Sequence, residues 1–202
     1  MRSVIIGNGN FDNVFDFFEN DYVICADGGY NHAKKYGIIP DIIIGDMDSV
    51  TVDITDKNTV VYPKEKDYTD GELAVRAAID KGCDEIILLG MTGTRIDHTI
   101  ANICLLKYID EKGKKGCIAD KDNIIYYISK ELCLDGLKGK TVSLLPLGGD
   151  LTGVSNSGFY YPLCNENLYF GSTRGVSNIV TEDKANISVT SGEGIVVITN
   201  GH

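Results

Sequence analysis

Four short polar turns in the first part of the chain carry residues that could do chemistry. They are Asp27–Gly29 (DGG), Gly45–Ser49 (GDMDS), Lys66–Asp70 (KDYTD) and Gly93–His98 (GTRIDH), and each follows a short apolar run typical of a β-strand. In sheets of parallel strands, ligands bind beyond the carboxyl ends of the strands. We therefore expect the four turns to share one polar crevice.

Asp46 and Asp48 are the pair best suited to a metal ion. Two carboxylates at positions i and i+2 of a tight loop can both face one cation, and oxygen ligands suit magnesium. The alternative is an Asx turn beside a solvated acid, which is common in loops. Asp70 also has two interpretations: with Thr69 and Glu72 it fits the capped start of a helix, and from there it could face the crevice.

The candidate cations beside these acids are Lys64, Lys66 and Arg95. Arg95 could clamp a phosphate through its planar guanidinium group, or it could pair with Asp97 and fix the turn. His98 could act as an acid or a base, or it could cap or pack against the helix that begins there.

The standard nucleotide-binding motifs are absent from the sequence. Gly7-Asn8-Gly9 begins like a dinucleotide turn, but position 12 is Asp rather than Gly, so the fingerprint fails. The sequence also has no G-x-x-x-x-G-K-[ST] loop. Any nucleotide must be held in another way, through a few local cations or a bound metal.

The elements that position these turns alternate between strand and helix. Strands are predicted at Ser3–Ile6, Tyr22–Ala26, Asp41–Ile44, Thr59–Tyr62 and Glu85–Leu89, and helices at Phe11–Glu19, Tyr30–Tyr36, Gly71–Lys81 and Ile96–Lys112. Runs such as DIIIG and EIILLG are apolar without alternation, which is typical of strands buried on both faces. We predict a Rossmann-like α/β domain over residues 1–123, with a mostly parallel sheet covered by helices.

The sequence changes character from about residue 124. Short strand-like runs, separated by Gly, Asn, Ser and Asp, are TVSLLPL, GFYYPL, NLYFGS, ANISVT and GIVVITN. Ser191–Gly194, between the last two runs, is predicted to be a hairpin loop. This pattern predicts an all-β domain of sandwich or jelly-roll type over residues 124–202.

Composition limits the partners and the compartment. The chain has 202 residues, with 19 Lys and Arg against 29 Asp and Glu, and a formal net charge of −10. We therefore expect no binding to nucleic acid or to an anionic membrane. No apolar run reaches the roughly 20 residues of a membrane span. Six scattered Cys without a CxxC pair, and no signal-peptide run at the start, predict a cytoplasmic protein with reduced thiols.

Six motifs follow one another along the chain. They are DGG at Asp27–Gly29, PDxxxGDxDS at Pro40–Ser49, KDxTD at Lys66–Asp70, TGxRxDH at Thr92–His98, GFYYPL at Gly158–Leu163 and FGSTRGVSN at Phe170–Asn178. This ordered series resembles the thiamine pyrophosphokinase (thiamine diphosphokinase) family. The resemblance covers nearly the whole chain, and Phe159, where members often carry Leu, is a mild departure outside the chemistry.

The resemblance implies an activity, a cofactor and an assembly. The family transfers the pyrophosphoryl group of ATP to the hydroxyl of thiamine, giving thiamine diphosphate and AMP, with Mg²⁺ as the metal. It works as a homodimer whose active site lies at the subunit junction. By motif match, the metal ligands are Asp46, Asp48 and Asp70, the catalytic set adds Arg95 and Asp97, the ATP site includes Asp27, Lys66 and Arg95, and the thiamine site includes Ser177 and Asn178.

Two other functions are alternatives to pyrophosphoryl transfer to thiamine. Another ATP-dependent kinase or pyrophosphokinase could act on a different small alcohol; AMP marks pyrophosphoryl transfer, whereas ADP marks ordinary phosphoryl transfer. A non-catalytic thiamine- or nucleotide-binding module is the other alternative. Four acids argue against it, because binding alone does not demand a metal cluster: Asp46, Asp48, Asp70 and Asp97. Of these, Asp70 or Asp97 could also accept the hydroxyl proton.

Overall fold

The first part of the chain folds around a sheet of parallel strands. The structure is a computed structural model that describes residues 1–12, 15–54, 58–61, 63 and 67–199. The chain divides into two units, Met1–Lys121 and Asp122–His202, each with its own buried apolar residues. No helix in the described residues is long and apolar enough to cross a membrane.

The described residues of the first unit form six strands and three helices. The strands are β1 (Arg2–Ile6), β2 (Tyr22–Ala26), β3 (Ile42–Gly45), β4 (Thr59–Val61), β5 (Glu85–Leu89) and β6 (Lys115–Ala119), and the helices are α1 (Gly29–Tyr36), α2 (Asp70–Asp80) and α3 (Ile96–Glu111). The strand order is β6-β5-β1-β2-β3-β4, and each neighbouring pair is parallel. The predicted α/β unit with a parallel sheet is therefore present.

The chain changes direction across this sheet at β1. From β1 it proceeds through β2 and β3 to β4 on one side, and it then returns to place β5 on the other side of β1. The segments that follow β1 and β5 lie at the carboxyl ends of these strands, where parallel sheets bind ligands. The strands next to this point are almost fully buried, with Ile5, Ile24 and Leu88 at 0% exposure.

Helix α2 begins where the sequence predicts a cap. The hydroxyl oxygen of Thr69 accepts a hydrogen bond from the backbone N–H of Glu72 at 3.2 Å. The Glu72 carboxylate does not complete a capping box, because it accepts from the Arg76 guanidinium one turn later, at 2.8 and 3.0 Å. This single capping bond satisfies one N–H group at the helix start. The first turn of α2 faces the carboxyl ends of the strands.

The helix predicted over Phe11–Glu19 is wrong, since the described residues of this segment have no helical structure. Contacts with distant residues set its path instead. Phe11 packs against the His32 ring at 5.2 Å, and the Arg2 guanidinium lies 3.8 Å from the centre of the Phe18 ring. Aromatic residues have only a weak intrinsic preference for helix, so these contacts decide the conformation. Other boundaries shift by one or two residues, and Tyr62 lies outside the described residues.

The second unit contains two antiparallel sheets. Its strands are β7 (Asn123–Ile128), β8 (Glu131–Asp135), β9 (Thr141–Pro146), β10 (Leu151–Ser157), β11 (Glu166–Leu168), β12 (Asn178–Ile179), β13 (Lys184–Ser188) and β14 (Gly194–Thr199). Within this unit, one row is β12-β9-β14-β7 and the other is β11-β10-β13-β8. A single cluster of buried residues draws on both rows, including Val196 of β14 and Ile187 of β13. The predicted all-β character is therefore present.

Two predictions for the second unit are wrong in detail. Ser191–Gly194 is not a hairpin loop, because β13 pairs with β8 and β10 while β14 pairs with β7 and β9. GFYYPL is not a strand, and only Phe159 forms an isolated bridge, to Val180. Gly158 has a φ of +78°, which turns the chain away from a regular ladder.

The ion pair between Arg2 and Asp21 ties β1 to the irregular segment before β2. The two side chains are 15% and 2% exposed, and the guanidinium donates two hydrogen bonds, of 2.7 and 2.6 Å. Burial acts to raise the pKa of Asp21, but hydrogen bonds from Arg2 and from the Phe18 N–H outweigh it and lower that pKa. The pair therefore stabilises the fold most when Asp21 is ionised.

We predict that Asp21→Asn lowers the free energy of unfolding by about 2–3 kcal/mol at pH 7, because a charged hydrogen-bonded pair loses its charge. The folded pKa lies below the unfolded value of about 4, so the contribution is complete above pH 4 and disappears as the pH falls through the folded pKa. Urea unfolding at pH 7 and pH 3 measures the difference in free energy of unfolding between the wild type and the variant. This difference should be smaller at pH 3. Asp84→Asn should lose far less free energy of unfolding, because the Asp84 side chain is 71% exposed and its ion pairs are screened by water. Equal losses for both variants would contradict the assignment.

Candidate functional site

A cavity of about 690 Å³ lies at the carboxyl ends of the parallel strands. Segments that follow β1, β2, β3 and β5, together with the starts of α2 and α3, form its wall. The predicted site residues on this wall are Asp27, Asp46, Asp48, Asp70 and Arg95. The described parts of all four polar turns therefore meet in one cavity, as the order of the strands requires. Lys64 and Lys66 lie outside the described residues.

Three carboxylates converge within this cavity. Asp27, Asp46 and Asp48 each offer an oxygen atom, and these atoms lie within 4.8 Å of one another. Asp27 is only 7% exposed, and its Oδ1 has no hydrogen-bond partner in the described part of the chain. An unpaired buried carboxylate oxygen is costly, and crowded carboxylates repel, unless a cation lies between them. The oxygen ligands fit Mg²⁺.

The membership of this group differs from the sequence prediction. The sequence assigned Asp70 to the metal and Asp27 to the nucleotide, whereas the structure groups Asp27 with Asp46 and Asp48. Asp70 lies on the wall of the same cavity but outside the group of three. The signal for Asp27 was present in the sequence: DGG follows β2, the strand that pairs with β3 in front of Asp46.

Close approach of two backbones brings Asp27 to Asp46. The N–H of Asp27 donates to the carbonyl of Ile44 at 2.8 Å, which continues the pairing of β2 with β3. A Cβ atom at position 45 would lie 2.8 Å from the Cβ of Asp27, closer than real Cβ atoms come. Glycine at position 45 therefore allows the ends of β2 and β3 to lie side by side. Asp46 is the next residue in the chain.

The loop that carries Asp46 and Asp48 has a strained backbone. Met47 has a φ of +63°, in the left-handed region that costs a non-glycine residue about 1–2 kcal/mol. Within the loop, the Asp48 N–H donates to Asp46 Oδ1 at 3.2 Å, and the Ser49 hydroxyl donates to Asp48 Oδ1 at 3.0 Å. The Asx turn offered as the alternative to a metal site is present, and it coexists with the convergence of the carboxylates.

Arg95 and Asp97 form the local ion pair that the sequence allowed. The guanidinium donates two hydrogen bonds to the carboxylate, at 2.9 and 2.6 Å, although both side chains are mostly exposed. These bonds hold the pKa of Asp97 well below its usual range. Arg95 and His98 line the cavity, whereas Asp97 is not part of its wall. Asp97 therefore orients Arg95 rather than facing the cavity.

Asn8 lines the cavity, although the sequence does not single it out as a site residue. It lies beside Gly28, where an added Cβ would come within 2.4 Å of its side-chain amide. The next N–H group, that of Gly9, donates to the carbonyl of Gly90 at 2.7 Å and does not face the cavity as an anion donor. The signal in the sequence is the G-N-G turn, because it lies directly after β1 at the carboxyl end of a parallel strand.

His32 of α1 supports this turn from outside the cavity. Its Nε2 lies 3.0 Å from the carbonyl oxygen of Gly9, and a carbonyl can only accept. Burial lowers the pKa of His32 and so favours the neutral ring, and the contact with the carbonyl requires a proton on Nε2. The ring thus fixes the position of the turn after β1.

Ser177 and Asn178 belong to the second unit and are held by backbone contacts. The Asn178 amide donates to the Tyr161 carbonyl at 2.7 Å and accepts from the N–H groups of Tyr161 and Ile179 at 2.9 Å. Ser177 has a φ of +61°, and its N–H donates to the Ser143 hydroxyl at 3.0 Å. Within this chain, these contacts are those of a structural turn.

The second unit has a small cavity of its own beside Asn178. Its volume is about 70 Å³, and its wall combines apolar side chains such as Val142 and Leu144 with Asn156, Arg174 and Asn178. Arg174 also pairs with Glu166. This hollow is therefore mostly apolar, with a few polar groups on its wall.

A parallel α/β sheet with a wide polar cavity and clustered acids at the carboxyl ends of its strands is an arrangement typical of enzymes that act on phosphate groups with a divalent cation. Comparison with known proteins makes the class specific. A family model described as "Thiamin pyrophosphokinase, catalytic domain" matches residues 17–118, and one described as "Thiamin pyrophosphokinase, vitamin B1 binding domain" matches residues 126–196. The chain belongs to the thiamine pyrophosphokinase family.

Individual relatives agree with the family models. A thiamine pyrophosphokinase of Bacillus subtilis (strain 168) is 33% identical over 187 residues, which cover 89% of this chain and 87% of the relative. A crystal structure of thiamine pyrophosphokinase from Bacillus subtilis has a TM-score of 0.90 at 28% identity and covers 100% of both chains. One from Geobacillus thermodenitrificans has a TM-score of 0.88 at 26% identity, covering 100% of this chain and 98% of that one. The resemblance carried by the motifs is confirmed.

We predict that Asn178→Ala lowers the free energy of unfolding by about 1–2 kcal/mol, because the side-chain amide makes three hydrogen bonds to the backbone. Thermal unfolding of the purified variant measures the loss. Ser177→Ala is the matched control, since its backbone N–H keeps the bond to Ser143 and its stability should hardly change. An Asn178→Ala protein as stable as the wild type would contradict the structural role of the amide.

Proposed function

We propose that this chain transfers the pyrophosphoryl group of ATP to the hydroxyl group of thiamine, giving thiamine diphosphate and AMP. The observation that carries the conclusion is the match of both family models, in order, to the two units of the chain. The first unit supplies the acidic cavity that this chemistry requires. The second supplies the part of the chain that corresponds to vitamin B1 binding.

The metal site of this reaction is proposed to hold Mg²⁺ on carboxylate oxygens. Asp46, Asp48 and Asp70 are the ligands expected from the motifs, and the geometry adds Asp27 to the set. The buried oxygen of Asp27 without a partner supports this, because it lies where a cation would compensate it. When bound, Mg²⁺ neutralises charge on the polyphosphate oxygens and on these acids. Without a cation among them, these acids would repel the negatively charged ATP.

The other residues of the site are proposed to position the substrates and to stabilise the charge of the polyphosphate. Arg95 is proposed to bind the polyphosphate, with its guanidinium plane set by the two hydrogen bonds to Asp97. Lys66 is proposed to add a second cation from the turn before α2. The thiamine hydroxyl attacks the β-phosphorus in line and AMP leaves, a step that needs alignment more than covalent help.

Asp70 is the better candidate to accept the proton of the thiamine hydroxyl. Asp97 has its oxygens occupied by Arg95, a pKa held well below the usual range, and no place on the cavity wall. Asp70 lies in the first turn of α2 and lines the cavity. We therefore assign Asp97 to orienting Arg95 and Asp70 to the reacting centre, as ligand or as proton acceptor.

The two functional domains are proposed to be residues 1–123, which bind ATP and the metal, and residues 124–202, which bind thiamine. The strand order around β1 supports a Rossmann-like description of the first, and two antiparallel rows around one core support a jelly-roll-like description of the second. Ser177 and Asn178 are proposed thiamine contacts. The bonds that Asn178 makes to Tyr161 indicate that it also shapes this surface.

The enzyme is proposed to be a cytoplasmic homodimer with each active site at the subunit junction. Four aromatic side chains of the second unit are 59–64% exposed: Tyr160, Tyr161, Tyr169 and Phe170. Exposed aromatic patches of this kind are typical of protein interfaces. The six cysteines are free thiols, which supports a reducing compartment.

Incubation with ATP, Mg²⁺ and thiamine should give thiamine diphosphate and AMP in equal amounts by chromatography. Asp46→Asn or Asp48→Asn should reduce turnover about a thousandfold or more, because each removes a carboxylate from the proposed metal site. Asp53→Asn, an exposed acid outside the cavity, is the matched control and should remain active. Formation of ADP would contradict pyrophosphoryl transfer, and near-normal turnover of either variant at limiting Mg²⁺ would contradict the metal role.

Mixing an Asp46→Asn protein with a Ser177→Ala protein tests the shared site. If each site takes Asp46 from one subunit and Ser177 from the other, every mixed dimer has one intact site. Random exchange of equal amounts then restores about a quarter of wild-type activity, since half the dimers are mixed. Each variant alone must be measured as the baseline. No recovery in mixed dimers verified by differential tags would show that the two residues do not meet across subunits.

A further inference from the structure

One side chain of α1 makes three hydrogen bonds to the loop that follows β3. The amide nitrogen of Asn31 donates to the carbonyl of Ser49 at 2.9 Å. Its amide oxygen accepts from the N–H of Thr51 at 2.9 Å and from the hydroxyl of Thr51 at 3.1 Å. The donor and the acceptor of a single half-buried side chain are therefore both used to hold the chain just beyond Asp46 and Asp48.

The backbone N–H groups of this loop make long hydrogen bonds within it. The Asp48 N–H donates to Asp46 Oδ1 at 3.2 Å and the Val50 N–H donates to the Met47 carbonyl at 3.4 Å, at or beyond the long end of the normal range, while the Ser49 hydroxyl donates to Asp48 Oδ1 at 3.0 Å. Met47 has a positive φ, which persists only where the surroundings impose it. The two bonds that join Asn31 to backbone groups of the loop are 2.9 Å long, and they come from a helix with a buried face.

Asn31 does not line the cavity, so it acts through the loop rather than on a ligand. It lies four residues after Asp27, in the helix that begins at Gly29. Residues 27–31 therefore carry one carboxylate of the group, that of Asp27. They also carry Asn31, which holds the loop that contains Asp46 and Asp48. An amide supplies both the donor and the acceptor that these bonds need, whereas a carboxylate lacks the donor and an aliphatic side chain lacks both.

We propose that Asn31 is a positioning residue that holds the loop from Asp46 to Thr51 in the shape that presents both carboxylates to a divalent cation. This inference rests on the metal site of the proposed function. Residues that hold metal ligands in place from outside commonly change metal affinity ten- to hundredfold when removed. The loss of Asn31 is expected to weaken metal binding without removing any ligand.

Five variants separate this role from a general effect on folding. Asn31→Ala removes all three bonds, and Asn31→Leu removes them while keeping the number and branching of the side-chain heavy atoms. Thr51→Val removes only the hydroxyl bond and keeps the N–H bond. Lys35→Ala, on an exposed position one turn further along α1, is the matched control. Asp46→Asn removes a proposed ligand and serves as the reference for loss of the site.

Binding of Mn²⁺ alone, measured by electron paramagnetic resonance on the full chain, is the main readout. Asn31→Ala and Asn31→Leu should raise the Kd for Mn²⁺ about ten- to hundredfold, Thr51→Val should raise it about threefold or less, and Lys35→Ala should leave it unchanged. Hydrogen exchange at the amides of Asp48 to Thr51 should become faster in the Asn31 variants without any metal present. In turnover, the Mg²⁺ requirement should rise while the KM for thiamine stays the same.

The outcomes distinguish this inference from the proposed function. Weakened Mn²⁺ binding together with faster exchange in a folded Asn31 variant supports the positioning role. Unchanged Mn²⁺ affinity in the Asn31 variants, with binding lost in Asp46→Asn, overturns the role of Asn31 and leaves the metal site standing. A wild-type protein that binds no Mn²⁺ overturns both. If Asn31→Ala does not fold, Asn31→Leu and Thr51→Val decide by the same measurements.

Discussion

Mutual repulsion among Asp27, Asp46 and Asp48 is the constraint on which the site depends. At the spacing of these oxygens, two unit charges repel by on the order of 3 kcal/mol at the effective dielectric of a protein. Solvent weakens this at exposed Asp48, but Asp27 is buried. The backbone must therefore hold the carboxylates together while no cation is bound. Paired strand ends, a glycine at position 45 and the amide of Asn31 provide that rigidity.

The parallel sheet explains why so many loops can be fixed at once. Its strands end at one edge, so each following turn can be braced by its neighbour: the turn after β1 by the turn after β5, and the chain after β2 by the end of β3. Helix α1 adds two further braces, with His32 on Gly9 and Asn31 on Ser49. Such bracing preorganises charged groups, which is the main contribution a protein makes to phosphoryl chemistry.

Side-chain amides serve the same purpose in the second unit. Asn178 binds the N–H and carbonyl of Tyr161, and Asn156 binds the Tyr161 carbonyl and the Leu163 N–H. The GFYYPL segment thus satisfies its backbone groups without joining a sheet, which leaves its tyrosines exposed. An amide suits this task because it offers a donor and an acceptor a short distance apart. Irregular chain can be as well defined as a strand when its polar groups are paired.

The sequence by itself determined the alternating strands and helices of the first unit, the β-rich second unit, the meeting of the four turns and the family. These follow from local signals: apolar runs, the cap at Thr69 and motifs in fixed order. It also placed Asp46 and Asp48 correctly beside each other, because their spacing is a property of one short loop.

Only the tertiary structure decided the features that join residues far apart in the chain. It has contacts to Arg2 and His32 in place of the helix predicted at Phe11–Glu19. It also places β13 and β14 in different sheets. It grouped Asp27 rather than Asp70 with the acidic loop, and it gave Asn31 and Asn178 their hydrogen bonds. Local propensity cannot encode these outcomes, because the energy of each depends on which distant group the fold brings within contact.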